Sequence, residues 1–190
     1  MIPVPPEPVE RFLHTLDVVA REGEHLAFSW QRLYAQPIDA DWVRGLEQAP
    51  ELAERLEAFT SRYGRMQDTI AEKLLPRWLN ALAERAGSQI ETLNRAERLG
   101  VIASVEHWLE GRKLRNRLVH EYMEDPAAFA EDLSLARDYA VMLMSTFNRV
   151  RADAAERMGI PENALPDPLA TPPGANAPAP PAGRAPHGDG

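Results

Sequence analysis

The chain has no cysteine, which excludes disulfides, thiolate metal ligands and a cysteine nucleophile. Alternating strand patterns and glycine-rich nucleotide loops are absent too, and no apolar run approaches the length of a membrane span. The opening MIPVPPEPVERF carries four prolines but neither a basic n-region nor a long apolar segment, which argues against a signal peptide. A cytoplasmic location with no membrane attachment is the expectation. Apart from His120, the histidines are His14, His25, His107 and His187, and they form no ligand array of the H-x-x-E-H kind, so neither a metal nor a cofactor is expected.

What is present suits one folded unit. Hydrophobic residues make up 44% of the 190 and charged residues 26%, an ordinary balance for a globular domain with one core. The formal net charge of -8 disfavours broad, nonspecific coating of nucleic acid, whose affinity comes mainly from phosphate neutralisation. A compact local phosphate site remains compatible with it. The 17 prolines are unevenly placed, with four at positions 3–8 and nine at 161–186. The C-terminal stretch lacks aromatics and has few large apolar residues, too few to offset the entropy of ordering it. The expected organisation is a flexible N-terminus at 1–7, a helical domain at 8–158 and a disordered Pro/Ala/Gly-rich tail at 159–190.

Between the proline-rich ends the apolar residues recur at steps of three and four. Phe12, Leu13, Leu16, Val19, Leu26, Trp30 and Leu33 outline a long first helix. Asp39 suits the cap of a short helix, and Pro50 suits the first turn of the next. The pattern then runs from Leu52 to Leu82, with Pro76 predicting a kink or break. Gly100 ends a short helix around Leu93, Ala96 and Leu99, Ser104 caps a helix through about Tyr122, and Asp125-Pro126 opens a last one that Gly159 and Pro161 stop. The tryptophans are spaced like core anchors. The fold class is all-α, an antiparallel bundle of four to five main helices.

Residues 112–125, RKLRNRLVHEYMED, concentrate cations in this acidic chain. On a helical wheel at about 100° per residue, Trp108 shares a side with Val105, Leu118 and Val119. Lys113 and Arg117 fall opposite, as ordinary solvated cations. Arg115 lies about 20° from Trp108 on that wheel, with Arg112 and Tyr122 close by and Asn116 and His120 along one margin. An arginine on an apolar face needs a partner, because an unpaired buried charge is costly. Two readings follow. Either Arg115 or Arg112 pairs with an internal carboxylate and His120 is a satisfied interfacial histidine, or the set forms a phosphate site. In the second reading a guanidinium grips phosphate oxygens with two charge-assisted hydrogen bonds, and a histidine titrating near neutral pH moves a proton. Metal-independent chemistry on a phosphodiester is the corresponding expectation.

RNRLVHEY also fits R-x4-H-x-Y, with Arg115, His120 and Tyr122 at the defining positions and polar Asn116 directly after the arginine. On this motif, together with YGRMQDTIAEKLLP at 63–76 and LNRAERLGVI at 93–102, the chain over about residues 8–155 resembles the HEPN superfamily. The likeness is specifically to the HepT-like toxins of bacterial HepT–MntA (type VII) toxin–antitoxin pairs. The resemblance implies an endoribonuclease acting as a homodimer, the two motifs facing each other across a cleft. It implies that Arg115 binds the scissile phosphate, that His120 is the general acid/base for attack by the ribose 2′-hydroxyl, and that Asn116 orients one or the other. Arg112 would add an RNA or phosphate contact. Tyr122 would be the residue AMPylated by a partner nucleotidyltransferase antitoxin, which blocks the site. The competing reading within the same resemblance is a noncatalytic module that holds a nucleotidyltransferase or its nucleotide. A purely structural helical adaptor gives no reason for Arg115 on the apolar stripe.

Overall fold

The computed structural model describes residues 6–120 and 124–172, with His120 described by its backbone alone. Helix α1 spans Glu7–Leu33, α2 Ala40–Arg44 with a following 3-10 turn at Gly45–Gln48, and α3 Pro50–Thr69. A π-type turn at Ile70–Leu74 joins α3 to α4 at Leu75–Ala81. Helices α5 (Gln89–Arg98), α6 (Val105–His120) and α7 (Pro126–Met158) complete the bundle. There are no strands among the described residues, so the fold is all-α, as the period of the apolar residues predicts.

The helix boundaries follow local chemistry. The Asp39 carboxylate accepts from the Trp42 amide at 2.8 Å, and the Ser104 hydroxyl accepts from the His107 amide at 3.2 Å. Asp125 accepts from the Ala127 and Ala128 amides, both at 3.1 Å, with Pro126 in the first turn. Each cap satisfies helix-end donors that have no partner within the helix. Ser88 and Glu91 form a reciprocal capping box at the start of α5. Gly159 ends α7 with φ +65°, a left-handed conformation that costs a residue with a Cβ.

Pro76 does not break its helix. Having no N–H, it cannot take the Glu72 carbonyl, and its ring crowds that position. The chain accommodates it one turn earlier, where the Leu75 amide reaches back five residues to the Ile70 carbonyl. The wider turn presents Ile70, Ala71, Leu74 and Leu75 to the core together, and α3 and α4 continue as one rod.

The core lies where α1, the α3–α4 rod and α7 meet, with α6 closing it against α3 and α7. Trp78 and Trp108 are its largest side chains, both essentially fully buried. The Trp78 indole donates to Asp153 at 2.8 Å, and the other Asp153 oxygen pairs with Arg157 at 2.6 Å. Asp153 is thus buried with both oxygens used, which is what makes a carboxylate tolerable there.

The segment after α7 corrects the sequence expectation. Instead of trailing away from residue 159, the chain folds back and packs across α1 and α7. Leu165 and Leu169 are buried. The Asn148 carboxamide pairs with both backbone groups of Leu169, donating to its carbonyl at 2.9 Å and accepting from its amide at 2.8 Å. Arg151 donates to the Pro166 carbonyl and pairs with Glu162 at 2.6 Å. Gly23 of α1 leaves the notch that Leu169 fills, since a Cβ there would lie 2.2 Å from Leu169 Cδ1. Composition averaged over the stretch hides two leucines four residues apart that meet a prepared surface. Residues 173–190 of the expected tail lie outside the described residues.

Leu169→Ala is expected to cost about 2–3 kcal/mol, the lower part of the range for truncating a buried leucine, read as a lower midpoint in urea unfolding. A chain ending at residue 158 should lose at least as much. Equal midpoints for the full chain and both variants would mean that the strap contributes nothing.

Candidate functional site

Helix α6 crosses α3 closely because of two glycines. A Cβ on Gly111 would lie 3.1 Å from the Tyr63 hydroxyl and 3.2 Å from Cδ1 of Tyr139. Its absence lets Tyr63 donate to the Gly111 carbonyl at 3.0 Å, while Gln67 Nε2 reaches the Trp108 carbonyl at 3.5 Å. Burial pushes the Tyr63 hydroxyl well above the ordinary phenol range, so it stays a neutral donor.

One turn along the crossing lies Arg115. Its guanidinium donates to Asp68 at 3.2 Å and forms an ion pair with it, both side chains about one-third exposed. It lies flat over Gly64, where a Cβ would sit 2.7 Å from Nε and 3.2 Å from Nη2. Gly64 and Asp68 are one turn apart on α3 (i, i+4) and together form a seat for this one arginine. The pair lines a groove of about 690 Å³ between α3 and α6. Arg65 and Lys73 line the same groove, as do Glu57 and Glu72, and Leu118 and Val119 form part of its wall.

The wheel placed Trp108 at the centre of the inward side, and the observed centre is rotated from there. Trp108, Gly111, Leu114 and Leu118 face the core, with Trp108, Leu114 and Leu118 buried. Val119, expected inside, is 52% exposed. The rotation follows from Gly111, which has no side chain to weigh on a wheel but marks the line of closest approach. Arg115 therefore sits at the α3 margin of the buried face rather than at its centre.

The same rotation separates the expected set. Arg112 and Asn116 are exposed and line a smaller pocket with Glu106, Leu109, Glu110 and Lys113. Arg112 donates to the Gln89 side chain of α5 at 2.8 Å. Arg115 lies in the α3 groove and is not a lining residue of that pocket. Arg117, expected as a solvated cation, is tied to α7 by two hydrogen bonds to Asp132, at 2.9 and 2.7 Å. A wheel of one helix cannot show a carboxylate on another. Lys113 matches its expectation, with its side chain 68% exposed and paired locally with Glu110. Tyr122 and the His120 side chain lie outside the described residues; His120 is the last residue of α6.

Asp68 and Gly64 were not singled out from sequence. The available signal was a glycine in the middle of a strongly periodic helix, which costs stability and asks for a packing reason. Behind the groove, the Thr69 hydroxyl donates to Glu22 at 3.0 Å, and the other Glu22 oxygen is buried without a partner among the described residues. Burial raises the Glu22 carboxyl above the ordinary range, opposed by the Thr69 bond and by Arg65 and Lys73. In comparisons with family models, curated proteins and solved structures, nothing matches this chain.

Two outcomes are expected. Gly64→Ala should destabilise the protein by about 1–3 kcal/mol through overpacking. In an Arg115→Ala background the same change should be neutral or stabilising by up to about 1 kcal/mol, because alanine is then the better helix residue. A double-mutant cycle in urea reads this reversal. For Glu22, a raised folded-state value means that the native state binds the extra proton. Stability from this residue is present below the unfolded carboxyl range and declines as pH rises through the folded value. Glu22→Gln should therefore raise the melting temperature at neutral pH, and the gain should shrink towards pH 4.

Proposed function

We propose that the chain is an endoribonuclease toxin of the HEPN type that works as a homodimer and is neutralised through Tyr122 by a nucleotidyltransferase antitoxin. The supporting observation is the seat of Arg115: a guanidinium about one-third exposed, held by Asp68 over Gly64 at the wall of a groove, on the helix that ends at His120.

In this reading Arg115 holds the non-bridging oxygens of a phosphodiester and offsets the charge that builds on them. His120 takes the proton from the ribose 2′-hydroxyl as that oxygen attacks phosphorus. The bond to the 5′-oxygen breaks, the leaving oxygen takes a proton from an acid, and a 2′,3′-cyclic phosphate remains. The second subunit's motif supplies that acid. Exposed Val119 beside Arg115 gives the groove an apolar lip of the kind that a subunit interface covers. Arg112 and Asn116, exposed on the adjacent strip of α6, contact RNA outside the groove. AMPylation joins the Tyr122 oxygen to the α-phosphorus of ATP with loss of pyrophosphate, and places a charged nucleotide two residues beyond His120.

One observation favours the noncatalytic alternative. Asp68 already neutralises Arg115, as a purely structural arginine would require. The two readings separate in one experiment. On the endoribonuclease reading, expression of the wild type arrests growth and degrades RNA, and Arg115→Ala and His120→Ala each lower cleavage by at least about 100-fold while remaining folded. Co-expression with a cognate nucleotidyltransferase adds the mass of AMP to the wild type and not to Tyr122→Phe. A wild type that neither arrests growth nor cuts RNA sinks the toxin reading in favour of the binding module.

A further inference from the structure

The opposite flank of α3 carries a second charged cavity that the proposed site does not use. It lies between α1 and α3, measures about 460 Å³, and is lined by Phe28, Arg32, Arg55 and Arg62 along with Glu51 and Glu54. No ion pair among the described residues involves any of these three arginines. Arg62 is nevertheless fixed: one of its terminal nitrogens donates to the Ser29 hydroxyl at 2.7 Å and to the His25 carbonyl at 3.1 Å. Its Nε and Nη2 are used by no hydrogen bond among the described residues. Arg55 lies seven residues earlier on the same face of α3, half-buried, with Glu51 one turn away yet unpaired with it.

The aromatic neighbour completes the pocket. Phe28 is 54% exposed, a large apolar surface to leave in water. The Arg32 guanidinium lies 5.5 Å from its ring centroid, within cation–π range. A flat apolar ring beside two guanidiniums with free donors suits a molecule that joins a flat ring to an anion. The carboxylates are fewer than the arginines, and Glu51 has its own reason to be present, in the first turn of α3 where negative charge is favoured. They leave the pocket net positive and offer acceptors for hydroxyl or amino groups.

We propose that this pocket binds a nucleoside monophosphate group, with the phosphate between Arg55 and Arg62 and the base against Phe28. The group is either a free nucleotide or one link of a single strand. The inference does not depend on catalysis at Arg115.

The test is titration of the full chain with adenosine monophosphate, with inorganic phosphate, and with an eight-nucleotide 2′-O-methyl RNA that offers no attacking hydroxyl. The wild type should bind the nucleotide more tightly than phosphate. Arg55→Ala with Arg62→Ala should weaken the nucleotide and the oligomer by about tenfold or more, as expected for lost bonds to a charged group. Phe28→Ala should weaken the nucleotide by about fivefold or more, as loss of a stacking partner does, and leave phosphate unchanged. Because Arg62 also braces α1, Arg55→Ala alone is measured beside the pair. It breaks no hydrogen bond among the described residues and should still weaken the nucleotide several-fold, by about half the paired effect on a logarithmic scale. Arg115→Ala should bind the nucleotide like the wild type, while losing RNA cleavage if the proposed function holds. In the Arg115→Ala background, an oligomer that binds more tightly than the nucleotide and loses that advantage when Arg55→Ala is added identifies a strand site, and equal affinity identifies a free-nucleotide site. Absence of binding by either nucleotide probe, wild-type affinity in the Arg55 and paired variants, or phosphate bound as tightly as the nucleotide would each overturn the proposal.

Discussion

The contact on which the candidate site depends is the close crossing of α3 and α6. Two glycines permit it, Gly111 against Tyr63 and Gly64 under Arg115. The backbones are then near enough for the Tyr63 hydroxyl to reach a main-chain carbonyl on the other helix. That carbonyl lies within α6, so the bond adds to the helix ladder and does not replace part of it. Arg115 can lie flat only because residue 64 has no side chain, and it stays in place because Asp68 is one turn further on. Helix spacing sets the residues that meet, and the missing methyl groups set how closely they meet.

The charges sort themselves by the seams between helices. Arg117 with Asp132 ties α6 to α7, Arg115 with Asp68 ties α6 to α3, and Asp153 holds Trp78 of α4 to α7. Each of these carboxylates is at least partly withdrawn from water, and each has a cation or an N–H donor to compensate. Exposed pairs such as Lys113 with Glu110 fit the usual rule that such contacts add little to stability. The arginines around Phe28 depart from this pattern, since no seam carboxylate engages them.

Much of the fold was legible in sequence because it rests on local rules. Caps at Asp39, Ser104 and Asp125, the first-turn prolines at 50 and 126, and the stop at Gly159 act over three or four residues, so one strand of text contains both partners. Pro76 was legible as a disturbance, but its form was not. Whether a helix breaks or widens into a π turn depends on what the displaced residues can bury, and here Ile70, Ala71, Leu74 and Leu75 all find core. The strap failed for a related reason. Residues 159–172 are poor in apolar area on average, and two leucines suffice once Gly23 and Asn148 receive the second of them.

The sequence by itself determined an all-α chain, where most helices begin and end, and that Arg115 stands beside an apolar face on the helix that carries His120. Those properties depend on period and on neighbours within a turn. Only the tertiary structure decided which way α6 is rotated, and hence that Arg115 meets Asp68 over Gly64, that Arg112 and Asn116 face a different pocket, and that Arg117 is tied to another helix while Lys113 pairs within its own. The partners in those contacts between helices lie 15 to 47 residues apart in the chain. A wheel weighs side chains and gives a glycine no weight, yet two glycines set the rotation by marking where another helix approaches.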